Sequence, residues 1–123
     1  MLYFFEVSTP ANTLEGDSKR TVLPLNRGSI SKVGLLFPTG CAGLLHVRLR
    51  RFGRQVFPTS TGESFAGDGT LIEWMENYLL DEEPFSMELE TWNDDDSYPH
   101  KVYVSIEIMG AMSMPIMAFS PVG

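Results

Sequence analysis

Apolar and polar residues alternate with period 2 over several short stretches of this chain. Leu45, Val47 and Leu49 alternate with His46, Arg48 and Arg50, the signature of a strand with one buried and one wet face. A second apolar run, Ile30 to Phe37, precedes it across the break Pro38-Thr-Gly-Cys-Ala-Gly43, so the two read as core strands joined by a turn. Val33, Leu35 and Phe37 point inward in this reading, and Gly34 on the other face marks a bulge or a close backbone approach. Leu2 to Ser8 is a strand with Tyr3, Phe5 and Val7 on one face. Thr21 to Leu25 is a short strand whose Pro24 lacks a ladder donor and belongs at an edge or an end. Arg54 to Phe57 is a further short strand that stops at Pro58.

Later in the chain Phe85, Met87, Leu89 and Thr91 alternate with Ser86, Glu88, Glu90 and Trp92. Val102, Val104, Ile106 and Ile108 then form one face of a last strand, Lys101 to Met109. These two read as a hairpin about the turn 93–99. Residues 70–80 are ambiguous: Leu71, Trp74, Met75, Tyr78 and Leu79 fit helical spacing after a capping box at Thr70 and Glu73, yet every neighbour is a strand. We expect an extended segment there. Residues 9–20 read as a loop, and 59–69, rich in Gly, Ser and Thr, as a long surface loop.

Seven or eight short strands separated by Gly and Pro predict an all-β, antiparallel β-sandwich with jelly-roll or Greek-key winding. A single domain is expected over residues 1–110. Residues 111–123 are expected to form an apolar C-terminal arm in which Met112, Met114, Ile116, Met117 and Phe119 suit docking on another subunit or, alternatively, folding back across the arm's own sandwich, while Pro115 and Pro121 prevent a regular helix.

The formal charge of −7 argues against general nucleic-acid binding, which needs a surplus of Lys and Arg. The charges fall in blocks. His46, Arg48, Arg50, Arg51 and Arg54 lie within nine positions and the acids concentrate at 73–96, so the cationic residues, with Glu88 and Glu90, are candidate interface groups. If the two strands are neighbours the charges pair within the chain; if not, each patch is free to meet another subunit. Cys41 is the single cysteine and reads as a small apolar residue rather than a reactive thiol. The apolar start lacks a basic region and a cleavage site, and no run approaches the length of a membrane span; a cytoplasmic location is expected.

Candidate chemistry is sparse, and no enzyme activity or cofactor is expected. His46 and His100 have no partner at metal-ligand spacing, and Asp94, Asp95 and Asp96 read as a solvated hairpin turn rather than a calcium site, since their spacing is not that of an EF-hand loop. No nucleophile or phosphate-loop motif occurs. Trp74, Trp92 and Tyr98 would serve a carbohydrate-binding alternative by stacking on sugar rings, against ordinary core packing. A cupin-like metal enzyme is a further alternative and needs a metal held by His46 or His100.

The series Phe37-Pro-Thr-Gly-Cys-Ala-Gly-Leu-Leu-His-Val47, Gln55-Val-Phe-Pro58 and Glu90-Thr-Trp-Asn-Asp-Asp-Asp-Ser-Tyr-Pro-His100, followed by an alternating last strand, resembles small jelly-roll virion proteins of tailed phages over about residues 21–109. The resemblance implies a non-enzymatic capsid-decorating, minor-capsid or head-to-tail accessory protein located in the virion. It would act as a homo-oligomer docked on a larger protein assembly such as a capsid.

Overall fold

The computed structural model describes residues 1–110. Eight strands follow one another: β1 Leu2–Thr9, β2 Lys19–Pro24, β3 Gly28–Phe37, β4 Leu45–Arg51, β5 Arg54–Phe57, β6 Thr70–Leu80, β7 Ser86–Asn93 and β8 His100–Met109, with one 3-10 turn at Glu15–Asp17. They form two four-stranded sheets, the first in the order β1-β8-β3-β6 and the second β2-β7-β4-β5, with every pairing antiparallel. The chain is therefore an all-β sandwich. Every connection except β4 to β5 carries it from one sheet to the other, which is jelly-roll winding.

This topology corrects both expected hairpins. β3 and β4 lie in opposite sheets, as do β7 and β8, although each strand keeps the inward face read from its alternation. A strand with one apolar face buries it equally well beside its sequence neighbour or across the core from it, so the alternation specifies the face and not the partner. Residues 70–80 are extended because β6 pairs with β3 from Phe37 back to Gly28; nine cross-strand pairs override a local helical spacing. The strand expected at 21–25 begins earlier, at Lys19, on the edge of the second sheet and ends at Pro24.

Ile30, Val33, Leu35 and Phe37 of β3 meet Leu45, Val47 and Leu49 of β4, with Leu89 of β7 and Val102, Val104 and Ile106 of β8, in one buried core. Cys41 is buried with them. The register of β3 slips between Ile30 and Lys32, a bulge that lets the strand stay paired on both sides while it bends. Gly28 has φ +151°, and a Cβ there would lie 2.3 Å from the Met109 carbonyl oxygen, so only glycine fits.

The loops 10–18, 38–44, 58–69 and 94–99 gather at one end of the sandwich, tied by Asn12 N to Asp95 O, Gly43 N to Gly67 O and Asp94 N to Leu44 O. The 59–69 segment is not wholly a surface loop: Phe65 exchanges both backbone hydrogen bonds with Val47 and so extends the β4 edge beyond the short β5. At the other end Leu25 N donates to Phe85 O, near the β4–β5 hairpin that Arg51 joins to the 81–85 turn. The 111–123 arm lies outside the described residues.

Candidate functional site

The outer face of the second sheet carries the alternating charges. β4 and β7 are neighbours, with Arg48 opposite Glu90 and Arg50 opposite Glu88, so the two charged faces pair inside one chain. Arg48 contacts Glu90 at 3.4 Å and Glu15 at 2.7 Å, and also donates to the carbonyls of Gly62 and Glu63. Arg50 lies 3.4 Å from Glu90 and 3.9 Å from Glu88, and Arg20 of β2 reaches both acids from the other side. The sequence reading put Arg48 on a wet or interfacial face. It is instead only 7% exposed, covered by the 14–18 turn and the 60–64 segment that the alternation does not reveal.

Glu90 sits at the centre of this network. Burial pushes its carboxyl up, but the Ser18 hydroxyl and the guanidiniums of Arg48, Arg20 and Arg50 outweigh burial and hold it below the usual carboxylate range. Trp92 is buried against the same group, stacked on the His46 ring at 5.0 Å and beneath the Arg48 guanidinium at 4.5 Å. His46 bonds Asp94 at 2.9 Å and Ser64 at 3.0 Å.

The three candidate sugar-stacking aromatics are not brought together. Trp92 lies in the charged network, Trp74 packs inward against Phe57 and Phe65, and Tyr98 stands exposed in the 94–99 loop. The Asp triplet is likewise divided. Asp94 pairs with His46, Asp95 accepts from the backbone of Ser97 and Tyr98 and pairs with His100 at 2.8 Å, and Asp96 accepts from the Ser97 hydroxyl. No group of three or more His, Cys, Asp or Glu placed to hold a metal ion occurs among the described residues.

A cleft lies open on the second sheet. It has a volume of about 810 Å³ at the β4–β5 hairpin, and Arg48, Arg50, Arg51 and Arg54 all line it. Arg51 continues the inward side of the β4 alternation at the end of the sandwich while Arg50 stays on the outer face; the slip in the β4–β5 register falls on β5, where Val56 is the extra residue. Arg51 is 7% exposed. Its Nη2 donates to the carbonyls of Glu82 at 2.7 Å and Pro84 at 3.4 Å, its guanidinium lies 4.2 Å from the Phe52 ring, and its Nε has no partner. Arg54 faces Arg51 across the hairpin and is exposed. Among the described residues neither Arg51 nor Arg54 is paired with a carboxylate, in contrast to Arg48 and Arg50.

Gln55, Thr61, Gly62 and Tyr78 complete the walls. Gln55 fixes the loop side, donating to the carbonyls of Pro58, Ser60 and Glu63 and accepting from Gly62 N. Sequence reasoning missed these four. The crowding of arginines at 48–54 was the one signal for the cleft, and nothing in the sequence told which arginines would be neutralised.

No protein-family model matches the chain, and no curated protein matches it. Its fold is similar to a crystal structure of Fe(II)-HppE with the alternative substrate (S)-1-HPP, at 11% identity and a TM-score of 0.45, over 86% of this chain and 42% of that one. A structure of FeII HppE is similar at 11% identity and a TM-score of 0.46, over 86% and 43%. The chain spans less than half the length of those proteins, and the likeness is one of fold. The virion role expected from the sequence has no counterpart in these comparisons, whose structures are of an iron(II) protein and not of capsid or tail components, and it is not retained.

Proposed function

We propose that the protein is a binding domain for a small organic anion carrying a phosphate or carboxylate group, held in the β4–β5 cleft. The observation that carries this reading is the pair Arg51 and Arg54. Both line the cleft, and both lack a carboxylate partner among the described residues, in a chain of net charge −7. A guanidinium presents planar, paired donors that match phosphate and carboxylate oxygens. Arg51 is already fixed by two backbone carbonyls and an aromatic ring, so little side-chain entropy is left to lose when it binds. Exposed Arg54 closes on the ligand from the opposite strand. Arg48 and Arg50, neutralised by Glu15, Glu88 and Glu90, act as walls.

The reading is binding rather than catalysis. The lining offers guanidinium, amide and hydroxyl groups with apolar Val56 and Phe52, a set that orients an anion, and among the described residues its walls carry no imidazole, thiol or carboxylate.

Titration calorimetry at low ionic strength with inorganic phosphate and with citrate tests it. One-site binding of at least one anion is expected, weakened about tenfold, or about 1.4 kcal/mol, by Arg54→Ala and untouched by Lys101→Ala on the other sheet. Absence of binding by both anions, or binding indifferent to Arg54→Ala, would sink the reading. Added chloride should weaken the interaction through screening.

A further inference from the structure

The outer face of the first sheet is the second unexplained surface. Along it Phe4, Leu36, Leu71, Met75, Leu79 and Tyr103 are all exposed, Phe4 at 74% and Met75 at 73%. They lie on all four strands, and the register sets Tyr103, Leu36 and Leu71 side by side. Contiguous apolar surface of this kind marks an interaction site.

The polar groups between them are already satisfied. Lys32 pairs with Glu73 at 3.4 Å, Lys101 with Glu6 at 3.1 Å, and the Ser31 hydroxyl donates to Glu107 at 3.0 Å. Two lysines thus stand against three glutamates, and nearly all of the net −7 lies elsewhere. Apart from Glu107, which is held by the Ser31 hydroxyl, the charges of this face are paired and can be dehydrated without stranding an ion. A basic partner would be drawn to the acidic remainder of the surface; a second acidic copy meets least repulsion here.

We infer that this face is where two copies of the chain pack sheet against sheet. The dimensions suit it. Four strands at about 4.8 Å spacing and about nine residues at 3.3 Å rise make a face of roughly 20 by 30 Å. That footprint of about 600 Å², enlarged by side-chain relief, approaches the ~800 Å² per partner of a standard interface. The face also carries both a knob and a hole. Phe4 projects beside a hollow of about 180 Å³ whose floor is Gly34 and Ser105 and whose walls include Leu36, Leu71 and Tyr103. Gly34 contributes no side chain, and a space of about 150 Å³ accommodates a benzene ring. A two-fold axis on the face sets the partner's Phe4 in this hollow and returns the contact, as an isologous interface requires.

Sedimentation of the full chain across a dilution series tests the pairing. A dimer that dissociates on dilution is expected, with Phe4→Asp and Leu71→Lys each raising the dissociation constant at least tenfold. Val22→Asp on the exposed face of the second sheet should leave it unchanged, and cooperative melting of each variant confirms folding. A monomer at every concentration overturns the inference, and protection of Met75 from peroxide in that monomer would show that residues 111–123 cover the face instead. An oligomer unaffected by Phe4→Asp and Leu71→Lys overturns it equally.

Discussion

Glu90 is the residue whose chemistry most depends on its surroundings. At 3% exposure it remains the shared partner of three arginines. Its carboxyl is held low in the folded state, so it contributes stability that is complete above the ordinary glutamate pKa of about 4.3 and is lost as pH falls through the lower folded value. Glu90→Gln should therefore destabilise by about 3 kcal/mol at pH 7, the scale for one partner removed from a buried pair. The penalty should shrink in acid melts, where the wild-type carboxyl is itself protonated. A penalty equal at pH 7 and pH 3 would count against the charge network. Cys41 behaves in the opposite sense. Burial first, and the Asp68 carboxylate second, push its thiol up, so a thiol reagent at pH 8 should label it only after denaturation. The sequence reading of Cys41 as an apolar residue and the buried position agree. The sequence showed no more than that Arg48 and Glu90 alternate with apolar neighbours; their burial depends on covering loops distant in sequence.

At the scale of elements, the strands were legible and their partners were not. Val47 and Leu49 of β4 are fully buried, as period-2 alternation requires, and Leu49→Ala should cost ~2 to 5 kcal/mol in chemical denaturation. Val22→Ala, on a 63% exposed side chain, should cost well under 1 kcal/mol. Gly28 makes a sharper test of register. Alanine there meets the Met109 carbonyl and an unfavourable positive φ, and Gly28→Ala should destabilise by at least about 2 kcal/mol. A neutral Gly28→Ala would mean that β3 and β8 are not held in this register. The β5 bulge belongs to this scale too. It places Val56 as an extra residue opposite β4, and no pattern of residue types at 54–57 announced it, whereas Arg50 and Arg51 point apart by the alternation of β4 itself.

For the whole molecule, the jelly roll joins the ends of the described chain. Leu2 pairs with Glu107 and Lys19 with Thr91, so most ladders close only after long stretches of chain are ordered. The main refolding phase after dilution from denaturant should accordingly fall in milliseconds to seconds, as for other sandwiches of non-local contacts; microsecond refolding would be at odds with this topology. Long-range winding also decides which charges are free. β4 lies between β7 and β5, so the acids of β7 neutralise Arg48 and Arg50 and leave Arg51 and Arg54 at the hairpin end. No helix among the described residues is long and apolar enough to cross a membrane.

The sequence by itself determined most of the strands, the inward faces of β1, β3, β4, β7 and β8 and the β-sandwich class, while leaving residues 70–80 open between helix and strand, because alternation and Gly or Pro punctuation act over a few residues. It also marked the arginine cluster from which the cleft is built. Only the tertiary structure decided that β3 and β4 face each other across the core, that Glu90 is enclosed by Arg20, Arg48 and Arg50, and that an apolar sheet face stays uncovered. The physical reason is that an alternating strand is satisfied by any apolar surface opposite it and any strand edge beside it. The choice among partners is made by crossover connections, bulges and covering loops that act between residues far apart in the chain.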